Sequence, residues 1–246
     1  MKYQALGVAI VLAAGCVEVE DPELGTVDTN IETPNRLAAN SLSANRLAAN
    51  RLAANGLAAS SIDVAALAAT EGGADLLSYM VSCALPEGSS LSVGSYVFAG
   101  QLGLAPKWVD KPLKDSERGW VSACLLARVN LFGVTVRLSL RGTVAALSTT
   151  SDERAGYTLF EGAFYGDVFA TPQKFNACTS AYKATAPQVS TMPLRECTVP
   201  DGGGLTRCGF NAVGTCEDVC QGGGDGERYA SCNGVNEVIS VYLEKP

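Results

Sequence analysis

The chain has 246 residues, 47% of them hydrophobic, a formal charge of −7 and no histidine. The missing histidine removes the commonest general base, proton shuttle and metal ligand from any chemistry the chain could carry. Six acids, Glu18, Glu20, Asp21, Glu23, Asp28 and Glu32, share one stretch without Lys or Arg, and the remainder is close to neutral; no basic face is left for nucleic acid.

Residues 1–15 have the three parts of an export signal: Lys2, the apolar run Ala5 to Ala14, and the small residues Ala13, Ala14 and Gly15. The run is too short to cross a bilayer, which needs about 20 apolar residues. With Cys16 directly after it, the segment resembles a bacterial lipoprotein signal. That family is cut before the cysteine, which is diacylated on sulfur and acylated on its new amine. The resemblance makes Cys16 the lipid-attachment (palmitate) residue. The family places Leu three residues before the cysteine, where this chain has Ala13; Leu12 lies one position earlier. The other reading is an ordinary secretory signal that leaves Cys16 a free thiol.

Residues 16–34 read as an acidic, disordered tether, because too few large apolar residues are present to offset the entropy of ordering. Residues 35–69 form a pentad-repeat segment: NRLAA, NSLSA, NRLAA, NRLAA and NGLAA, with Leu37, Leu42, Leu47, Leu52 and Leu57 on the beat and Ile62 and Leu67 continuing it. A period of five rotates successive leucines by about 140° on a helix and gives no single face. The pattern resembles pentapeptide-repeat proteins, with Asn where that family has a small residue. Seven pentads make fewer than two four-sided coils, short of the three repeats a solenoid needs. A low-complexity spacer, or a repeat packed on the following domain, are the alternatives.

The globular domain is expected over residues 70–246. Ser60 and Ser61 cap a short helix over Ile62 to Ala69, broken by Gly72 and Gly73. A helix from Asp75 to Leu85 puts Leu76, Leu77, Met80, Val81 and Ala84 on one face with Cys83 beside it, and Pro86 ends it. Ser90 to Ala99 alternates as a strand, and Asp115 to Asn130 is a second helix carrying Cys124, stopped by Gly133. Val134 to Leu140 alternates as a strand. Tyr157 to Ala170 is an aromatic strand interrupted by Glu161, and Glu237 to Leu243 is a last strand returning to the main sheet. Residues 171–236 form a Cys-rich loop region between them. The fold class expected is α+β, a single disulfide-stapled domain.

Nine cysteines minus Cys16 leave Cys83, Cys124, Cys178, Cys197, Cys208, Cys216, Cys220 and Cys232, an even set that reads as four disulfides in an exported protein. Eight cysteines allow 105 pairings; one bridge, Cys83 to Cys124 between the two helices, is predicted. Only Cys216 and Cys220 have a zinc-like spacing, and disulfides explain them better than a metal. Asp201 before three glycines, and the run from Gly222 to Gly226 around Asp225, read as turns and not as calcium loops. No cofactor motif is present. The carboxylates Asp152 with Glu153, and Glu161 with Asp167, are the candidates for glycoside chemistry. Glu161 is otherwise expected as a partly buried partner for Arg137 or Arg141, and a flat face with exposed aromatics such as Trp108 would favour binding over hydrolysis.

The Asn-x-Leu-Ala-Ala pentads, the lipobox and the segments LLSYMVSCAL, GLAPKW, WVSACLLARVN, SLRG and EGAFYGDVF together resemble a group of uncharacterised lipoproteins of myxobacteria. The resemblance covers most of the chain after Cys16. It implies a cell-envelope location, at the outer membrane or cell surface, and brings no activity and no catalytic residues. The sequence reading is therefore a lipid-anchored envelope protein, a non-catalytic binding or structural module for a protein or glycan partner; the alternative is an envelope hydrolase using paired carboxylates.

Overall fold

The computed structural model describes residues 53–57, 61–70, 72–132, 135–181, 195–222 and 228–244. The signal, the tether, most of the pentad repeat, Gly133 and the glycine run after Gly222 lie outside the described residues. The fold is α+β, as the patterning predicts.

The elements in chain order are α1 (Ser61–Ala68), α2 (Gly73–Ala84), β1 (Ser90–Val93), β2 (Tyr96–Ala99), α3 (Asp115–Ala127), β3 (Leu138–Arg141), α4 (Ser151–Gly156), β4 (Leu159–Asp167), β5 (Lys174–Thr179), β6 (Asn211–Thr215), α5 (Cys216–Val219), β7 (Cys220–Gly222), β8 (Tyr229–Cys232) and β9 (Ile239–Leu243). The main sheet has the order β3-β9-β4-β5-β6, antiparallel throughout except for the parallel pair β5–β6. The last strand thus sits inside the sheet, and the Cys-rich region between β5 and β9 is an excursion from one fold.

Alternation along the strands divides the sheet into two faces. Leu138, Leu140, Phe164, Ala177, Ile239, Val241 and Leu243 face the main core, which α2 and α3 complete; the face predicted for α2 is buried there. Ala163, Tyr165, Cys178 and Val238 face a second, smaller core closed by Cys216 and Cys232. The later part of the Cys-rich excursion covers that second face, while its Cys197, Cys208 and Phe210 pack in the main core.

Three strand expectations change. Ser90 to Ala99 is a hairpin and not one strand: Val93 pairs with Tyr96 across a two-residue Gly94–Ser95 turn, with Gly94 at φ 59°. A Gly-Ser pair between alternating residues is a hairpin signal, and it was legible. Of the strand expected over Val134 to Leu140, β3 covers Leu138–Arg141, paired with Leu243 to Ser240 of β9; Val134 lies outside the described residues. In β4, Phe160 pairs with Tyr242 and Gly162 with Val241, so Glu161 is the extra residue of a β-bulge. The bulge reverses the parity: Leu159 packs with Phe164 on the main face and Phe160 with Ala163 and Tyr165 on the second.

The core also begins before residue 70. Ala53, Leu57, Val64, Leu67 and Ala68 are buried in it. The Leu57 N–H donates to the Trp108 carbonyl (2.8 Å) and the Leu113 N–H to the Ala53 carbonyl (2.9 Å). Gly56 stands where three of the four preceding pentads have Arg; its φ is 78°, and a Cβ there would lie 3.0 Å from the Lys111 nitrogen. The last pentad departs from the repeat where the chain must turn against the domain.

Candidate functional site

The bulge in β4 turns Glu161 into a buried site. Its carboxylate is fully enclosed and accepts a hydrogen bond from Arg195 Nε at 2.9 Å, with both side chains at 0% exposure. The Arg195 guanidinium also stands 5.5 Å from the Phe164 ring. Burial pulls the guanidinium down from its ordinary value, and the Glu161 charge opposes that shift. The ion-pair partner is Arg195, not the expected Arg137 or Arg141. It comes from the Cys-rich excursion, 34 positions away in sequence.

Arg141 serves a different carboxylate. Its Nε donates to Ser139 Oγ (3.0 Å), whose hydroxyl donates to Glu153 Oε1 (2.7 Å), and its guanidinium covers the Tyr242 ring at 3.7 Å. Arg141 also donates to the Tyr157 carbonyl (2.6 Å). Glu153 is buried, and its Oε2 has no hydrogen-bond partner. Desolvation raises its pKa, against the opposing pull of the Ser139 hydrogen bond and the Arg141 charge. Its neighbour Asp152 faces solvent.

The carboxylates chosen for glycoside chemistry are not brought together. Glu161 and Asp167 lie six residues apart on one strand, about 20 Å at the rise of an extended chain, against the ~5–9.5 Å that glycosidase pairs need. Asp167 accepts a charge-assisted bond from Arg118 Nη2 at 2.7 Å. A cavity of about 120 Å³ between the pentad segment and α3 includes Arg118 in its wall, with Ala53, Ala54, Pro112, Leu113 and Phe169, and no carboxylate. Trp108, whose exposure would have favoured binding, is fully buried, edge-on to Phe169 at 5.9 Å between ring centres. Among the described residues, the exposed aromatics are Tyr96, at the hairpin tip beside Val97, and Phe132 after α3.

A third buried cation closes the helical layer. Arg128, the residue after α3, is buried over the Tyr79 ring (4.5 Å) and donates to Ser82 Oγ (2.7 Å). Desolvation pulls its pKa down to about 10. In sequence it stands at the negative end of this helix, where a cation suits the dipole.

The cysteines form four bridges. Cys83 and Cys124 are joined between α2 and α3, the pairing predicted from the two helices. The others are Cys178–Cys216, Cys197–Cys208 and Cys220–Cys232. Cys178–Cys216 ties β5 to the start of α5, and Cys220–Cys232 joins directly opposed residues of the β7–β8 ribbon. These last two bridges touch: Cys178 Sγ lies 3.6 Å from Cys220 Sγ, and the sulfurs of Cys178, Cys220 and Cys232 all fall within 4.8 Å of one another. Asp201 makes the turn expected of it, its Oδ1 accepting from the N–H groups of Gly203 (2.7 Å) and Leu205 (3.2 Å). Cys16 lies outside the described residues.

No protein-family model, no curated protein and no solved structure matches the chain. Among the described residues, no helix is long and apolar enough to cross a membrane.

Proposed function

We propose that the chain is a lipid-anchored cell-envelope protein, held at the outer membrane or cell surface through acyl chains on Cys16. Its α+β domain is then a non-catalytic binding or structural module. The observation that carries this reading is the use of cysteine. The four bridges account for eight of the nine cysteines and leave Cys16 over, directly behind an apolar run and a small-residue cut site. Stable anchoring takes more than one acyl chain, which is what that position receives in the lipoproteins it resembles. The resemblance to the myxobacterial lipoproteins belongs to the same reading.

The module reading is supported by where the polar chemistry sits. Glu161 and Glu153 are buried in hydrogen-bonded pairs that hold the sheet, while apolar side chains stand out at the hairpin tip, with Val97 at 70% exposure and Tyr96 at 47%. An exposed apolar and aromatic tip suits contact with a protein or glycan partner. Metabolic labelling with a fatty acid tests the anchor: the native chain takes up label and Cys16→Ser does not. Equal labelling of the two, or none of either, overturns the proposal.

A further inference from the structure

We propose that Cys178, Cys216, Cys220 and Cys232 form a thiol–disulfide exchange centre, opened by a solvent thiolate at Cys220. Two observations carry it. The first is contact: at 3.6 Å between Cys178 Sγ and Cys220 Sγ no atom separates the two bridges, and Cys232 Sγ is within 4.8 Å of both. The second is access. Cys220 is partly exposed, while Cys178, Cys216 and Cys232 are fully buried. The outer bridge crosses a two-stranded ribbon, an element with little packing of its own. The other two bridges, Cys83–Cys124 and Cys197–Cys208, have their sulfurs in the main core.

The exchange proceeds by successive thiolate attacks, each forming one sulfur–sulfur bond and breaking one. A thiolate attacks Cys220 Sγ, forms a mixed disulfide there and expels the Cys232 thiolate. That thiolate attacks Cys178 Sγ and expels the Cys216 thiolate. Cys216 then attacks the mixed disulfide at Cys220 and returns the original thiolate to solvent. The new pairs are Cys178–Cys232 and Cys216–Cys220. No electrons are gained or lost, and the thiol acts as a catalyst. Cys216 and Cys220 stand one helical turn apart across α5, about 6 Å of rise, a span a disulfide bridges. Where the attacking group is a dithiol, its second sulfur clears the mixed disulfide instead. The dithiol is oxidised, and the centre keeps Cys178–Cys232 with Cys216 and Cys220 as thiols. The substrate class is therefore a thiol or dithiol, small or protein-borne.

The test uses the folded full chain in reduced glutathione, quenched at intervals with N-ethylmaleimide in acid and mapped without reduction by mass spectrometry. Glutathione is expected first on Cys220. Peptides joined through Cys178–Cys232 and Cys216–Cys220 follow, while Cys83–Cys124 and Cys197–Cys208 stay intact. In a Cys220→Ser, Cys232→Ser double variant, Cys178–Cys216 is expected to open at least tenfold more slowly. Glutathione appearing equally fast on the core bridges, or Cys220–Cys232 opening with no new pairing, overturns the proposal. So does a double variant that loses Cys178–Cys216 at the native rate. The native-chain mapping stands by itself if the double variant fails to fold.

Discussion

The two faces of the five-stranded sheet are covered by different means. On the main face, α2 and α3 bury a large apolar surface, and one bridge, Cys83–Cys124, ties the two helices together. On the second face the cover is short strands and turns, with a core of six buried residues of which three are cysteines. A loop-rich cover of that size has too little apolar area to hold itself down and is stapled instead. The difference teaches how to read cysteine in this chain. On the main face it adds to a core that packing already builds; on the second face the disulfides are a large part of the core.

The largest effect should come where the excursion is tied to the sheet. Glu161→Ala leaves the Arg195 guanidinium buried without its carboxylate partner and is expected to cost about 3–5 kcal/mol, as loss of one member of a buried pair does. Urea unfolding measures it, and a cost below 1 kcal/mol would show that the bulge does not depend on this pair. Next, the Cys83→Ser, Cys124→Ser variant opens a closure of 41 residues and should lose on the order of 2–5 kcal/mol. It should still fold around its apolar helices; complete unfolding would erase the contrast between the faces. Leu57→Ala, at the end of the pentad repeat, should cost about 2–4 kcal/mol by leaving a cavity. A null result in thermal unfolding would detach the repeat from the core.

A smaller effect is expected at the polar layer of the second face. Glu153 has its pKa raised by burial, so folding favours its protonated form. That contribution is fully present below the unfolded value of about 4.3 and is lost as pH rises through the raised folded value. Glu153→Gln keeps an acceptor for Ser139 without the charge. It should be more stable than the native chain at pH 7, with the gap closing below pH ~4. A gap independent of pH would remove titration of Glu153 as its cause. The smallest change is Val97→Asp at the hairpin tip, 70% exposed, expected within about 0.5 kcal/mol of the native chain. A larger loss would place the hairpin in the core and not on the surface.

Much of the main face was readable. The apolar stripe of α2, the helix carrying Cys124 and the closing strand β9 follow from periodicity, and the bridge between the helices follows from each carrying one cysteine. The second face was not readable in the same way. Glu161 was visible as an interruption in β4, but nothing local marks an interruption as a bulge or names Arg195 as the partner. Arg128 looked like a cation at a helix end until its burial over Tyr79 was seen. Trp108 lies in a loop without periodicity, so its burial was not legible; that loop is the one against which Leu57 packs.

The sequence by itself determined the class of fold, the start and stop of most elements, the even set of eight cysteines apart from Cys16, and the Gly56 departure within the repeat. Each of these is a short-range property, set by helical or strand periodicity and by turn chemistry. Only the tertiary structure decided which cysteines meet, which face the excursion covers, and that two of its bridges lie in contact. Those are long-range outcomes. Among 105 pairings, the choice depends on where the bulged strand β4 holds its neighbour β5, and with it Cys178, against a chain that returns more than thirty residues later.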